Sequence, residues 1–229
     1  MKILNLYAGI GGNRKLWGDE HEITAVEYKP EIAAIYHDFF PNDKIVVADA
    51  HQYLLEHFRE FDFIWSSPPC PTHSKARYSF SVTKNNHGFT KPKPVYPDMT
   101  LWQEIIFLKY YFDGKWCVEN VVSFYETPLQ QSFLAPQRMA GHFFWSSFPM
   151  PPYDSRYNYE RGHDESEEVL REIKGFDLSK YEVSNKKLLL RNCVQPEVGK
   201  HILDWSQKEW HHTKSLLQES GQKAAQIPT

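Results

Sequence analysis

The chain has 229 residues, of which 41% are hydrophobic and 24% are charged, values that are typical of a folded globular protein and exclude wholesale disorder. The formal net charge of −3 neither requires nor excludes a nucleic-acid partner, so any phosphate-binding surface must be a local patch. Three cysteines are too few for a disulfide scaffold, and no apolar run approaches the roughly 18 residues of a membrane span. We therefore expect a soluble, cytoplasmic protein.

Short apolar runs alternate with helical patterns through the first half of the chain. The runs predict four buried strands, at residues 2–6, 23–27, 44–48 and 61–65. Helices that begin at Pro30 and Ala50 are predicted between them. Farther along, we predict a helix capped by Asp98, strands at 116–118 and 143–148, a helix at 165–174 and a helix near Pro196. This order favours an α/β fold with a mostly parallel sheet and helices on both faces.

A glycine-rich turn, Tyr7-Ala8-Gly9-Ile10-Gly11-Gly12, follows the first predicted strand. Glycines let the backbone turn tightly and pass close to a ligand, and the N-terminus of the next helix offers free N–H groups. The spacing differs from the dinucleotide pattern G-x-G-x-x-G, and no Lys-Ser/Thr pair follows as in a P-loop. The turn alone is equally consistent with a nucleotide-type cofactor and with a plain connection.

Acidic residues end the next two predicted strands. Glu27 ends the second strand, and Asp49 directly follows the third. An acid after the second strand commonly holds ribose hydroxyls in cofactor-binding α/β folds. Each acid alone is more typical of a solvated strand end, but together with the glycine turn the two favour a cofactor that contains adenosine.

A cysteine stands directly after the fourth predicted strand, in Ser66-Ser67-Pro68-Pro69-Cys70. Two prolines hold the chain rigidly and present Cys70 at the carboxyl edge of the sheet, where ligands of α/β proteins bind. Cys70 is either a nucleophile or a buried structural cysteine; the prolines and the basic residues behind it favour the nucleophile. We assign Cys117 to the core and leave Cys193 open.

A glutamate ends the fifth predicted strand, in Val118-Glu119-Asn120-Val121. Burying an ionised carboxylate among apolar side chains is costly, so such a group tends to keep its proton. That state suits proton donation. The alternative is a glutamate that points to solvent at the strand end.

These motifs, in this order, resemble those of the DNA (cytosine-5)-methyltransferase family. The glycine turn matches the cofactor loop, Glu27 and Asp49 the cofactor acids, Pro68-Pro69-Cys70 the nucleophile motif and Glu119-Asn120-Val121 the catalytic glutamate motif. Near the carboxyl end, Arg191-Asn192-Cys193-Val194 resembles the segment that completes the cofactor pocket. The resemblance covers about residues 1–150 and 186–206.

The resemblance implies a Rossmann-like methyltransferase fold, S-adenosylmethionine as methyl donor, no metal, and a cytosine flipped out of duplex DNA. It implies covalent catalysis by Cys70, assisted by Glu119 and an arginine. The cofactor residues it implies are Tyr7, Ala8, Gly9, Ile10, Gly11, Gly12, Glu27, Tyr28, Asp49, Ala50, Pro68, Asn192 and Val194. The DNA-contacting residues it implies are Ser74, Lys75, Arg77, Lys84, Lys91, Lys93 and Asn120, most of them in a stretch from 71 to 95 that lacks acidic residues.

The chain departs from the family pattern in three places. The family has a Gln-x-Arg-x-Arg stretch whose arginine contacts the cytosine, whereas here Gln137-Arg138 is followed by Met139, and Arg138 is our candidate. Arg191 stands where the family usually has glycine. The stretch left for target recognition, 149–187, is short and acidic. This stretch reads DNA with Arg156, Tyr157, Tyr159 and Arg161, or sequence specificity is weak, or a partner supplies the specificity. The alternative interpretation of the acidic stretch is a solvated surface helix.

We therefore divide the chain into a catalytic core (1–148), a small insert (149–187), a segment that completes the core (188–217) and a flexible tail (218–229). The predicted activity is methylation of carbon 5 of cytosine in DNA. Alternatives are the same chemistry on RNA, transfer of another one-carbon unit, or a silent module that binds nucleic acid. The Cys70 motif disfavours methylation of an amino nitrogen of cytosine or adenine. A compact enzyme of this kind is typical of phage or restriction-modification systems.

Overall fold

The computed structural model describes residues 1–75, 95–125, 135–153 and 166–209, and the backbone of the short hairpin β5–β6. Its strands are β1 (Lys2–Leu6), β2 (Glu22–Glu27), β3 (Lys44–Val47), β4 (Phe63–Ser66), β5 (Lys84–Asn85), β6 (Gly88–Phe89), β7 (Lys115–Val121), β8 (Gln137–Met139) and β9 (His142–Ser146). Its α-helices are α1 (Pro30–Phe39), α2 (Ala50–His57), α3 (Thr100–Tyr111), α4 (Glu167–Lys174), α5 (Lys186–Asn192) and α6 (Pro196–Ser206).

One sheet has the strand order β3-β2-β1-β4-β7-β9-β8. The first five strands are parallel, and the hairpin β8–β9 pairs antiparallel at one edge. Leu6 at the end of β1 lies opposite both Val26 and Ser66, and Ser66 lies opposite Val118. The loops after these strands therefore open at one edge of the sheet. The predicted α/β, Rossmann-like fold is confirmed.

Alternate residues of the central strands face opposite layers of helices, as the period of two requires. Leu4 and Ile64 belong to a buried cluster with Leu54 of α2 and Ile105 of α3. Their neighbours Ile3 and Phe63 belong to a second cluster, with Val198, Ile202 and Leu203 of α6. Because both faces are covered, the strands read as nearly continuous apolar runs.

Residues 166–187 of the predicted insert pack against the core. Leu170 of α4 and, beyond it, Phe176 and Leu178 are buried in a third cluster, which includes Ile10 of the glycine turn and Tyr36 of α1. The buried Lys174 donates a hydrogen bond to the carbonyl of Cys193, with Nζ 2.6 Å from the oxygen. Residues 166–187 therefore support the segment that follows them. Arg156, Tyr157, Tyr159 and Arg161 lie outside the described residues.

Several element boundaries differ from those predicted. Met99 is the N-cap of α3, and the Asp98 carboxylate accepts a hydrogen bond from the N–H of Thr100, so the acid caps the helix from one position earlier. The strand β8 was not predicted because three residues are too few to show a period. Among the described residues, no helix is long and apolar enough to span a membrane.

Candidate active site

A cleft of about 690 Å³ opens at the carboxyl edge of the parallel strands. Its walls come from the glycine turn, the loop after β4, the end of β7, the start of β9 and the segment 188–194. Cys70 and Glu119 both line this cleft, together with His142. Residues far apart in the chain meet here because the parallel strands end at the same edge.

The glycine turn is shaped by backbone conformations that glycine favours. Gly9 has φ +56°, and a Cβ atom placed on it would have no neighbour within 4 Å, so this residue faces open cleft. Gly11 and Gly12 instead face protein: a Cβ atom on Gly12 would lie 2.6 Å from Cβ of Cys193. The Glu27 carboxylate accepts hydrogen bonds from the N–H groups of Gly9 and Lys29, each with a donor–acceptor distance of 3.0 Å. Glu27 thereby fixes the turn.

Glu104 of α3 is completely buried and joins three segments around the cleft. The hydroxyl of Tyr7 donates to its carboxylate at 2.6 Å, the hydroxyl of Ser66 donates to its other oxygen, and Nδ1 of His51 lies 3.0 Å away. Burial and the Glu104 charge raise the pKa of Tyr7 far above its ordinary value, so this hydroxyl stays a donor. The hydrogen bond to Glu104 raises the pKa of His51.

The loop after β4 holds Cys70 in a defined position. The carbonyl of Pro68 accepts a hydrogen bond from the side-chain amide of Asn120 at 2.9 Å, and the carbonyl of Cys70 accepts one from the N–H of His73 at 2.9 Å. Cys70 is half-buried. Burial, and then the nearby Glu119 carboxylate, raise the pKa of the Cys70 thiol to about 11. In the free cleft Cys70 is therefore a thiol.

The register of β7, β8 and β9 determines which side chains lie on the same sheet face as Glu119. Val121 lies opposite His142 and Glu119 opposite Phe144, so His142 shares the sheet face of Glu119. Nε2 of His142 is 3.7 Å from Oε1 of Glu119. Arg138 lies opposite Phe143, on the other face, and is exposed. The structure therefore does not bring Arg138 together with Cys70 and Glu119.

The family model for C-5 cytosine-specific DNA methylases matches residues 1–128, more than half of the chain. The chain belongs to this family. The match spans three of the segments that line the cleft, namely the glycine turn, the Cys70 loop and the Glu119 strand. The start of β9 and the segment 188–194 lie outside the match. A comparison with curated proteins gives no significant match.

Solved structures with a similar arrangement include other methyltransferases. DNMT2 from Spodoptera frugiperda, crystallised as a mutant, is 20% identical, with 77% of this chain and 66% of that chain covered and a TM-score of 0.42. A putative DNA modification methyltransferase from an Escherichia coli prophage is 14% identical (64% and 46% covered, TM-score 0.42). EhMeth from Entamoeba histolytica is 11% identical (73% and 62% covered, TM-score 0.41). The chain thus spans 66% or less of each of these proteins.

Family membership implies S-adenosylmethionine as the methyl donor, and the cleft fits it where Gly9 leaves open space beside the acid Glu27. Of the predicted cofactor residues, those lining the cleft are Tyr7, Ala8, Gly9, Ile10, Gly12, Glu27, Pro68, Asn192 and Val194. Gly11 packs against the Phe40 ring, and Tyr28 is exposed. Asp49 caps α2 by accepting from the N–H of Gln52, and Ala50 is buried in the core.

The predicted DNA-contacting residues are placed unevenly. Ser74 lines the cleft, and Lys75 is exposed just beyond it. Asn120 is buried, and its side-chain amide donates a hydrogen bond to the Pro68 carbonyl, so its described contacts hold the loop that carries Cys70. Arg77, Lys91 and Lys93 lie outside the described residues, as does the side chain of Lys84. Within the described ranges, no group of three His, Cys, Asp or Glu could hold a metal ion.

Two parts of the site were missed by sequence reasoning. His142 carries no motif, and Ala140-Gly141 before it is not one of the residue pairs that typically mark a two-residue hairpin turn. Glu104 stands among apolar residues of α3, and that single buried acid was the available signal. Cys117 and Cys193 are both buried, which confirms the core assignment of Cys117.

Proposed function

We propose that the chain transfers the methyl group of S-adenosylmethionine to carbon 5 of cytosine in DNA, through a covalent bond between Cys70 and the base. The observation that carries the proposal is the meeting of Cys70 and Glu119 in one cleft with the glycine turn. The family match over residues 1–128 supports cytosine as the target.

The chemistry needs both side chains because carbon 5 of cytosine is a poor nucleophile. Addition of the Cys70 thiolate to carbon 6 breaks the C5=C6 π bond, so the ring loses its aromaticity. The displaced electrons are delocalised through carbon 4 onto N3. Glu119 stabilises that charge by protonating N3 or hydrogen-bonding it. Bound S-adenosylmethionine supplies the methyl group that carbon 5 takes up. Loss of the carbon 5 proton to water and cleavage of the sulfur–carbon bond then release Cys70 as a thiolate. Any proton on N3 returns to Glu119. The base must leave the duplex stack to reach Cys70.

The raised pKa of Cys70 determines when the reactive thiolate is available. With a pKa of about 11, only roughly one thiol in ten thousand is ionised at pH 7 in the free cleft. The thiolate must therefore form with the substrate in place. A cysteine that is unreactive at rest is protected from stray oxidation and alkylation.

The test is covalent trapping on duplex DNA that contains 5-fluorocytosine, with S-adenosylmethionine present. Fluorine blocks the final elimination, so an active protein stays bound to the DNA on a denaturing gel. We expect an adduct with the wild-type protein, none with Cys70→Ala, and an adduct with the control Cys117→Ala, whose cysteine is in the core. Absence of an adduct on diverse duplex DNA, despite cofactor binding, would contradict the proposal.

The same gel distinguishes the remaining alternatives. An adduct with fluorinated RNA and none with DNA would assign the same chemistry to RNA. An adduct on DNA of every sequence would show weak specificity, whereas an adduct that needs an added cell extract would indicate a specificity partner. An adduct on only a subset of DNA sequences would show that the chain itself selects its target.

A further inference from the structure

The carboxylate of Glu119 has a histidine partner that no matched motif provides. Nε2 of His142 lies 3.7 Å from Oε1 of Glu119, with the side chains of Glu119 and His142 only 11% and 18% exposed. This contact lies within the cleft that Cys70 also lines. The pair is therefore shielded from water where charge develops on a bound base.

A tight turn fixes the ring of His142. Ala140 and Gly141 between β8 and β9 both have positive φ, +47° and +77°, as a two-residue hairpin turn of this type requires. Nδ1 of His142 lies 3.0 Å from the carbonyl oxygen of Ala140. Because a carbonyl only accepts, Nδ1 carries a hydrogen, and Nε2 is the nitrogen that faces Glu119.

The nitrogen and the carboxylate attract each other only when they share a proton. A neutral imidazole with its hydrogen on Nδ1 would point the lone pair of Nε2 at a carboxylate oxygen, which is repulsive. A proton on Nε2, or on the carboxyl group, turns the contact into an attraction. A single shared proton would thus join His142 to Glu119.

Other ionisable groups face the pair from around the cleft. Those that line it are Tyr7, Glu27, Lys29, Cys70, Arg191 and Cys193. Of these, Cys70 is close enough for the Glu119 charge to act on its thiol. Arg138 of the adjoining strand β8 lies on the opposite sheet face. The carboxylate that lies within ion-pair distance of His142 is that of Glu119.

We propose that His142 supplies the proton that Glu119 delivers to N3 of the target cytosine. The inference rests on the proposed function and extends it. His142 acts through Glu119 and does not touch the base, so it is a positioning and proton-holding residue. The chain lacks the second arginine of the family's Gln-x-Arg-x-Arg stretch, and Arg138 lies on the sheet face opposite to Glu119. His142 lies on the same face as Glu119.

The step balances with a single proton. Before it, Cys70 is a thiolate, His142 an imidazolium and Glu119 a carboxylate. The sulfur–carbon 6 bond forms, the C5=C6 π bond breaks, and the electron pair reaches N3. The Nε2 proton passes to the carboxylate, and the carboxyl group so formed then passes that proton to N3. Afterwards the base carries hydrogen on N3, His142 is neutral and Glu119 is again a carboxylate.

The test is the rate of adduct formation on 5-fluorocytosine DNA, measured in a single turnover across about pH 6 to 9. We expect His142→Ala to slow the reaction roughly tenfold to hundredfold at pH 8 and to move the alkaline decline to lower pH. Added imidazole should restore part of the rate, because it can refill the space and carry the proton. His142→Gln should be slow and unaffected by imidazole. The matched control is His37→Gln, at an exposed histidine of α1 outside the cleft, and its pH profile should be unchanged.

The outcomes distinguish a failure of the proposed function from a failure of the proposed role of His142. No adduct with the wild-type protein overturns the proposed function, and this inference with it. A wild-type adduct whose rate and pH profile are unchanged in His142→Ala overturns the inference alone. A slow, folded His142→Ala variant that keeps the wild-type pH profile and ignores imidazole also overturns it, because those results describe a structural role.

Discussion

The hydroxyl of Tyr7 donates a hydrogen bond to the buried carboxylate of Glu104 across 97 positions of sequence. Tyr7 belongs to the glycine turn and has φ +55°, a left-handed conformation that is uncommon for a residue with a side chain. Glu104 also accepts a hydrogen bond from Ser66, which leads into the loop that carries Cys70. One carboxylate thus connects the glycine turn to the Cys70 loop.

Tyr7→Phe removes one donor and keeps the ring. We expect it to weaken S-adenosylmethionine binding several-fold and to lower the free energy of unfolding by about 1–2 kcal/mol, because the buried Glu104 loses a partner. Calorimetric titration and urea unfolding measure the two effects. Tyr110→Phe, at a residue that is 64% exposed on the same helix as Glu104, should change neither. Equal behaviour of the two variants would contradict the role of the bond.

His51 adds a pH dependence to the same cluster. Its pKa is raised by the hydrogen bond to Glu104, so the folded protein binds this proton more tightly than the unfolded chain. The resulting stability is fully present below the ordinary histidine pKa of about 6.5 and is lost as pH rises through the raised value. Wild-type protein should therefore lose more stability than His51→Gln from about pH 6 to pH 8. Parallel curves in urea unfolding would show that the pair contributes nothing.

Cys70 should react slowly with alkylating agents in the absence of substrate. Its pKa of about 11 predicts that the rate of modification by iodoacetamide keeps rising with pH up to that value. An ordinary cysteine would level off near pH 8.5 to 9, roughly. Mass spectrometry of the Cys70 peptide gives the rate. Glu119→Gln removes the neighbouring charge, so in that variant the alkylation rate should rise at lower pH. An alkylation rate that levels off near neutral pH in the wild-type protein would refute the assigned pKa.

Gly12→Ala should abolish cofactor binding. The added Cβ would lie 2.6 Å from Cβ of Cys193 and 2.8 Å from the carbonyl oxygen of Val194, which is backbone and cannot move aside alone. The segment at 192–194 must therefore shift away from the turn. Gly175→Ala is the control: its φ of +67° also penalises alanine, but it lies outside the cleft. We expect that variant to lose about 1 kcal/mol of stability and to keep its affinity for the cofactor.

The parallel sheet was predictable because its strands are covered on both faces and so appear as apolar runs, as at residues 2–6 and 63–66. The edge where Cys70 and Glu119 meet was predictable for the same reason. The face of Arg138 was not, because it depends on the two-residue turn at Ala140-Gly141, which sets the register of β9. The bonds of Glu104 depend on where α3 packs, and no local pattern contains that information.

The most direct test of the central claim is the identity of the modified base. Duplex DNA would be incubated with the protein and isotopically methyl-labelled S-adenosylmethionine, digested to nucleosides and separated by liquid chromatography with mass detection. We predict labelled 5-methylcytosine with the wild-type protein and none with Cys70→Ala or Glu119→Gln. Label on an amino nitrogen of cytosine or adenine, or label on carbon 5 that persists in Cys70→Ala, would contradict the account.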